Sequence, residues 1–334
     1  MAALILLMTL VGGATRMTES GLSITEWKPV TGVIPPLSDK DWQGEFDRYK
    51  QIPQFEKLNP EMTLAGFKSI FWWEWAHRLL ARLIGAAFIL PGLWFWLSGR
   101  FRGGLGLKVA AATGLLALEP IVGWWMVSSG LSERTEVAQE RLALHLMIAA
   151  ATYGALVYAA AGLYEPRGGG APKSARWTAA ALAALIFAQL GLGGLVAGLR
   201  AGLVDNTWPL MDGRLVPQDL FALKPWFRAI VDDVTTAQFD HRMLAYVIVA
   251  AALANAFWLR RAAPGTLAER TAGLVALAAV AQATLGILTL VFVVPIPLAL
   301  THQLTALALF GAAIWHWRAT APTAAGDVEA GACS

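Results

Sequence analysis

Residues 179–199, AAALAALIFAQLGLGGLVAGL, contain no charged side chain. As a helix, this stretch would be about 30 Å long, which matches the hydrocarbon thickness of a bilayer. A helix that is apolar on every side lies in a membrane or at the centre of a large protein. Of the 334 residues of the chain, 57% are hydrophobic and 15% are charged, against about 45–50% and about 25% in soluble domains. The composition therefore predicts a membrane protein.

Eight apolar stretches approach the roughly 20 residues that a transmembrane helix needs. They predict an all-α polytopic membrane protein with eight transmembrane helices. The first stretch is short because Arg16 follows closely, and nothing in it resembles a signal peptide; either the true start lies upstream or the helix begins at the terminus. In residue numbers the stretches are 1–17, 67–97, 108–130, 138–163, 174–199, 237–260, 268–293 and 297–317.

Basic residues in the short connections predict the orientation. The connections after helices 2, 4 and 6 are basic and are expected on the cytoplasmic side. The connection 131–141 sets two Arg against three Glu, and 293–299 is uncharged, so both are expected outside. Both termini are then cytoplasmic, and two long segments rich in Pro and Trp, 18–66 and 200–237, lie outside. The basic residues are Arg100, Arg102, Lys108, Arg167, Lys173, Arg176, Arg260, Arg261 and Arg270.

Residues of the two halves match in order, which predicts an internal repeat. The matched positions are 181, 164, 163 and 157 residues apart, a slow drift that loop insertions would produce. We expect two tandem four-helix bundles, 1–163 and 177–319, with a Gly-rich cytoplasmic linker, 164–176, and a polar tail, 320–334. The matches are Gly12-Gly13 with Gly193-Gly194, Gly21-Leu22 with Gly202-Leu203, His77-Arg78 with His241-Arg242, Glu119 with Gln282, Gly123 with Gly286, and His145 with His302.

Four of the five histidines fall on this repeat. His77 and His241 are expected to open helices 2 and 6, and His145 and His302 to lie in the first turns of helices 4 and 8. All four helices run inward, so the imidazoles are expected at one depth, near the outer face. Ionisable residues inside a membrane are candidates for function, although a single His there is more often a helix-packing residue.

Two facing imidazoles, without a cysteine or a cluster of acids, are typical of ligands to a haem iron. The repeat pairs His77 with His145 and His241 with His302. The glycine pairs would let helices or a macrocycle approach closely, or serve helix packing alone. The sequence therefore predicts two haem pockets, one in each half.

Polar residues beside the histidines distinguish the two halves. Arg78 and Arg242 could each meet a haem propionate or extend to the interface. Glu74 lies one helical turn before His77, on the same face, whereas Gln238 holds that place in the second half. A carboxylate in an apolar pocket can exchange protons near neutrality, so proton chemistry is expected at the first site only; the alternative is an interfacial acid bonded to loop backbone. One Glu-x-x-His motif is too little for a di-iron site.

Other classes of site are excluded. The single cysteine, Cys333, removes disulfide frameworks and cysteine metal sites. A net charge of +3, dispersed along the chain, gives no indication of nucleic-acid binding. His316 is expected near the inner surface, without a role.

Long motifs throughout the chain resemble one known family, the haem A synthases, in their Cys-less mitochondrial and proteobacterial branch. The motifs are SGLSITEWKPVTGVIPPLSDKDWQGEFDRYKQIPQFEKLN (20–59), FKSIFWWEWAHRLLARLIG (67–85), GWWMVSSGL (123–131), VAGLRAG (196–202), NTWPLMDG (206–213), TAQFDHRMLAY (236–246), LGILTLV (285–291) and LALTHQLTA (298–306).

The resemblance implies oxidation of the C8 methyl group of haem O to the formyl group of haem A, for aa3-type cytochrome oxidase. It implies a haem b cofactor at His241 and His302, and substrate haem O at His77 and His145. Glu74 matches a functionally important acid of the family. The implied setting is the inner membrane of a bacterium, with haem O synthase, oxidase assembly factors and an unidentified electron donor as partners; an oligomer is compatible with it.

Two positions depart from the family. Glu119-Pro120 stands where Gln-Gly is expected; Pro120 should kink or interrupt its helix, and Glu119 adds an acid that either tunes the first pocket or pairs with an Arg. Gly66 replaces an expected acid.

Two rival functions remain at the level of sequence. A two-haem bis-histidine electron-transfer cytochrome would carry the same ligands without oxidising a substrate. A transporter is suggested by the helix repeat, but the repeats are parallel and no broken helix pair marks a midplane site.

Overall fold

The computed structural model describes residues 1–101, 105–163, 171–218 and 220–321. Within these ranges the chain is helical and contains no strand, only an isolated β-bridge between Met211 and Arg214. Its α-helices are α1 (Ala2–Met17), α2 (Asp39–Tyr49), α3 (Pro53–Leu58), α4 (Leu64–Leu97), α5 (Leu105–Ser128), α6 (Gln139–Leu163), α7 (Lys173–Gly198), α8 (Phe227–Asp232), α9 (Val234–Ala262), α10 (Leu267–Val291) and α11 (Ile296–Ala319).

Several predicted features lie outside the described residues. They are Arg102, the linker residues 164–170 with Arg167, the side chain of Lys108, and the tail from residue 322 with Cys333.

Seven of the described helices, α4 to α7 and α9 to α11, are long and apolar enough to cross a bilayer. α1 is apolar too, but its 16 residues span only about 24 Å, short of the roughly 20 residues of a membrane span. The prediction of an all-helical integral membrane protein is confirmed. Seven of the eight expected spans meet the length that a bilayer requires.

Two histidines lie deeper along their helices than expected. α4 begins directly after Thr63, whose hydroxyl caps it, and His77 lies about three and a half turns further on. α9 begins directly after Asp233, whose carboxylate caps it, about two turns before His241. The expectation that His77 and His241 open their helices is therefore wrong, because a polar N-cap starts each helix earlier.

Proline does not interrupt the helices that contain it. α5 runs from Leu105 to Ser128 with Pro120 inside it, and α4 likewise contains Pro91. The expected interruption at Pro120 is wrong, since the helix resumes beyond the lost hydrogen bond; a kink there stays a prediction.

The chain divides into two compact units, one from Met1 to Thr152 and one that begins at Tyr153. In the first unit α1 packs along α4, and the segment before α4 folds against its first turns. An aromatic cluster fixes that segment: Phe46 and Tyr49 of α2 pack on Phe67 of α4. Burial raises the pKa of the Tyr49 hydroxyl, which therefore stays protonated and donates to Gln54 Oε1 at 3.1 Å.

In the second unit α7, α9, α10 and α11 pack on one another, and a chain of polar side chains, buried except for the exposed Thr178, links all four. The Thr178 hydroxyl of α7 donates to Asn255 Oδ1 of α9 at 3.0 Å. Asn255 Nδ2 lies 3.0 Å from His316 Nε2 of α11, and His316 Nδ1 lies 2.8 Å from the Thr271 hydroxyl of α10. His316 is fully buried. No role was expected for it, but through these contacts it links helices of the second unit.

Replacement of Asn255 by Leu removes the side-chain amide that contacts His316 Nε2 and the Thr178 hydroxyl. A buried polar group without a partner costs about 1–3 kcal/mol, so we expect a lower melting temperature for the purified protein in detergent. Thr284→Val is the matched control, because that exposed hydroxyl bonds only to Val280 O within α10. An Asn255→Leu protein as stable as this control would contradict the prediction.

Candidate functional site

Two imidazoles of the first unit face glycines of neighbouring helices. His77 of α4 faces Gly12 of α1, where an added Cβ would lie 3.1 Å from Nε2. His145, in the first two turns of α6 as predicted, faces Gly123 of α5, where a Cβ would lie 3.2 Å from Cε1. Both histidines are half-buried and lie in the same compact unit. The first unit therefore contains both imidazoles of the predicted pair, His77 and His145.

The second unit repeats this arrangement. His241 of α9 faces Gly193 of α7, where an added Cβ would lie 3.3 Å from Cε1, and His302 of α11 faces Gly286 of α10, with 2.9 Å to Cε1. Both imidazoles are again half-buried and lie in the same compact unit. All these distances are shorter than the roughly 3.5–4.0 Å of ordinary carbon contacts, so a side chain at any of the four glycines would push on an imidazole.

Glu74 is 2% exposed and accepts several hydrogen bonds. Its Oε2 accepts from the Ser23 hydroxyl at 2.7 Å and from the Ile24 N–H at 2.8 Å, and its Oε1 accepts from Arg78 Nη2 at 2.7 Å and Nε at 3.1 Å. Arg78 also donates to Ile24 O and Glu26 O. The acid is thus paired with Arg78 and bonded to the backbone of the segment before α4, and both its expected proton chemistry and the interfacial alternative stay predictions.

Gln238, which holds the position of Glu74 in the second unit, donates hydrogen bonds to the loop before its helix instead of accepting them. Gln238 Nε2 donates to Ala201 O at 2.6 Å and Val204 O at 2.5 Å, and Gln238 Oε1 accepts from Arg242 Nη2 at 2.9 Å. Arg242 donates further to Asp205 O and Thr207 O, which lie 181 residues after Ile24 and Glu26 in sequence. An amide donor therefore replaces a carboxylate acceptor on equivalent loop backbone.

Both arginines are engaged with loop carbonyl oxygens on the described chain. Arg78 donates to two of them and Arg242 to two. These bonds give each guanidinium a structural task of its own, and the expectation that Arg78 and Arg242 meet haem propionates stays a prediction.

A second acid and amide occupy matched places beside the other two histidines. Glu119 Oε2 of α5 lies 2.7 Å from His145 Nδ1. Gln282 of α10 places Nε2 3.0 Å from His302 Nδ1 and 2.9 Å from His302 O, while its Oε1 accepts from the Thr305 hydroxyl. Glu119 was expected either to tune the first pocket or to pair with an arginine. In the described residues its neighbour is His145, not an arginine.

Sequence reasoning missed Gln189. Its Nε2 donates to His241 O at 2.9 Å and lies 3.4 Å from His241 Nε2. The signal was available, because Gln189 is the one residue with a polar side chain in 179–199, and a polar group inside an apolar bundle needs a partner.

The sequence was compared with known proteins. The model of one family, described as cytochrome oxidase assembly protein, matches residues 1–314.

The chain belongs to this family.

Three similar relatives of this family member carry the name haem A synthase. The protein of Rhodopseudomonas palustris is 54% identical over 307 residues, 91% of this chain and 84% of the relative. That of Brucella ovis is 49% identical over 319 residues, 95% and 89% of the two chains, and that of Mesorhizobium japonicum is 50% identical over 313 residues, 94% and 86%. No solved structure matches the chain.

In this family member, Arg78→Leu should destabilise the first unit more than Arg242→Leu destabilises the second. Both changes release two loop carbonyls, but only Arg78→Leu leaves a buried carboxylate without its charged partner, and breaking a buried ion pair costs about 3–5 kcal/mol. Melting temperatures in detergent measure the difference.

The double variant Glu74→Gln with Arg78→Leu is the decisive comparison. Removal of the acid as well should recover part of the lost stability, because no uncompensated charge remains. A double variant no more stable than Arg78→Leu alone would show that the ion pair is not the cause.

Proposed function

We propose that this protein is a haem A synthase, a membrane oxidoreductase that oxidises the C8 methyl group of haem O to the formyl group of haem A for aa3-type cytochrome oxidase. One observation carries the proposal. Four half-buried imidazoles, each against a glycine, occur in a chain that is 49–54% identical to named haem A synthases over 91–95% of its length.

The residues of both pockets fit haem. Imidazole nitrogens are axial ligands of haem iron, and each of the four rings lies against a glycine, where no Cβ displaces it. We assign His241 and His302 to a haem b cofactor, and His77 and His145 to substrate haem O. Bound haem b supplies one-electron chemistry.

Glu74 is the residue to which we assign proton transfer. Its carboxylate is buried, its Oε2 touches the Ser23 hydroxyl, and its Oε1 is held by Arg78. The hydroxyl is a donor and acceptor that can pass a proton between the carboxylate and the segment before α4. Gln238 cannot take this role, because an amide does not titrate, so the proton chemistry belongs to the first unit.

We further propose two tandem four-helix bundles, 1–163 and 177–319, with α1 as the eighth span. Its packing along α4 and the contact of Gly12 with His77 support this, although α1 is short. Basic residues at the ends of α4, α7 and α9 support cytoplasmic termini in a bacterial inner membrane, with the four histidines toward the outer face.

The chemistry implies partners. A haem O synthase supplies the substrate through the lipid bilayer, cytochrome oxidase or its assembly factors receive haem A, and an electron partner closes the redox cycle. The protein could work as a monomer or an oligomer.

Glu74→Gln should abolish haem A formation and leave bound haem in place. Loss of an acid–base group lowers rates by about 10²–10⁴-fold, and glutamine keeps the size of the side chain while removing its charge. Pigments extracted from cells that also contain haem O synthase measure the product, and the haem to protein ratio of the purified variant measures binding. Wild-type levels of haem A in the variant would show that Glu74 does not carry the proton transfer, whereas no haem A even with the unchanged protein would favour the two-haem electron-transfer cytochrome.

Gly286→Ala should remove haem from the second pocket. The added Cβ would lie 2.9 Å from His302 Cε1, so the ring must move away from its position. The matched control is Gly273→Ala on the same helix, where no atom lies within 4 Å of the added Cβ. Haem content by pyridine haemochrome should fall by about half in the first variant and stay at the wild-type level in the control; equal contents would refute the assignment.

A further inference from the structure

Glu119 gives His145 a surrounding that none of the other three pocket histidines has in the described chain. Its Oε2 lies 2.7 Å from His145 Nδ1. The corresponding residue in the second unit, 163 positions later, is Gln282, whose Nε2 faces His302 Nδ1 at 3.0 Å. One ring nitrogen thus meets an anion and the other a neutral amide.

The carboxylate of Glu119 has no competing partner among the described residues. Within the described ranges its one ion-pair neighbour is His145, and neither Glu119 Oε1 nor His145 Nδ1 makes a hydrogen bond. The contact between the two side chains is therefore one of charge. The amide of Gln282, in contrast, is fixed at both ends: Nε2 donates to His302 O, and Oε1 accepts from Thr305. No free oxygen acceptor is therefore turned toward His302 Nδ1.

We infer that Glu119 is a positioning residue of the first pocket, whose carboxylate beside His145 Nδ1 makes this imidazole a stronger donor to the iron of substrate haem than His302 is to its own. The inference rests on the proposed function, which assigns His145 to that iron. Resemblance to the family does not imply it, because the expected residue at this position is Gln.

The physical basis is the effect of a second partner on a metal-binding imidazole. A negative charge beside an imidazole stabilises positive charge on the ring and on the iron that the ring binds. A stronger donor favours the ferric over the ferrous state, so an anion next to an axial ligand lowers a haem potential. Glu119 should therefore lower the reduction potential of haem in the first pocket.

The test exchanges the two residues and measures potentials. Glu119→Gln gives the first pocket the amide of the second, and Gln282→Glu makes the reciprocal change. Each protein is purified with its haem from cells that make haem O, and both midpoint potentials are determined by spectroelectrochemical titration. We expect Glu119→Gln to raise the first potential by a tenfold change in the reduction equilibrium, about 59 mV for one electron, and Gln282→Glu to lower the second.

Haem retained in Glu119→Gln with both potentials unchanged would overturn the inference, since a purely structural acid would alter stability alone. If Glu119→Gln is isolated without haem, Glu119→Asp decides: a first potential near the wild-type value supports the role of the charge, and a potential raised by the same tenfold factor overturns it.

His145→Ala separates this inference from the proposed function. If haem content and spectrum are the same as in the wild type, His145 does not hold haem and the proposed function fails together with the inference. If haem is lost or its spectrum changes in His145→Ala but the potential does not respond to Glu119→Gln, only the inference fails.

Discussion

The contact between an imidazole and the backbone of a glycine on the next helix is the constraint on which the rest of this structure depends. A polar ring among apolar helices is costly unless it has a partner, and a small residue opposite lets helices approach closely. Four such contacts hold the histidines at fixed places. Each contact joins one pair of helices: α1 and α4, α5 and α6, α7 and α9, and α10 and α11. Each histidine is therefore held beside a neighbouring helix, and a larger side chain at any of the four glycines would displace an imidazole.

The two units differ in the charge of the residues beside their histidines, although the arrangement of those residues is similar. Glu74 and Glu119 stand in the first unit where Gln238 and Gln282 stand in the second. Carboxylates accept from N–H and O–H groups, whereas the amides also donate to carbonyl oxygens. A site that must move protons and change a substrate needs groups that ionise, and a site that holds a cofactor needs only stable hydrogen bonds.

The sequence predicted the histidine pairs, because helical spacing and repeat offsets depend on the chain alone. It did not predict how far His77 lies from the start of α4. That distance depends on the cap at Thr63, and apolar composition does not reveal where a helix begins. It also missed what Gln189 and His316 contact, because a polar partner on another helix depends on how the helices pack. The place of Glu119 beside His145 was open in the sequence for the same reason: an acid one residue before a proline reads equally well as a partner for an arginine.

The polar chain through His316 is a second difference between the two halves. In the second unit it links all four helices through Asn255. At the offsets of the repeat, the first half has Pro91 in place of Asn255 and Ala159 in place of His316, so no such link can form there from these positions. A resident cofactor is best held by a bundle that does not open, whereas a substrate must enter and its product must leave. Under the proposed function, two differences then agree with a substrate site in the first half. The polar link is absent from its matching positions, which suits substrate exchange, and Glu74 is present, which suits proton transfer.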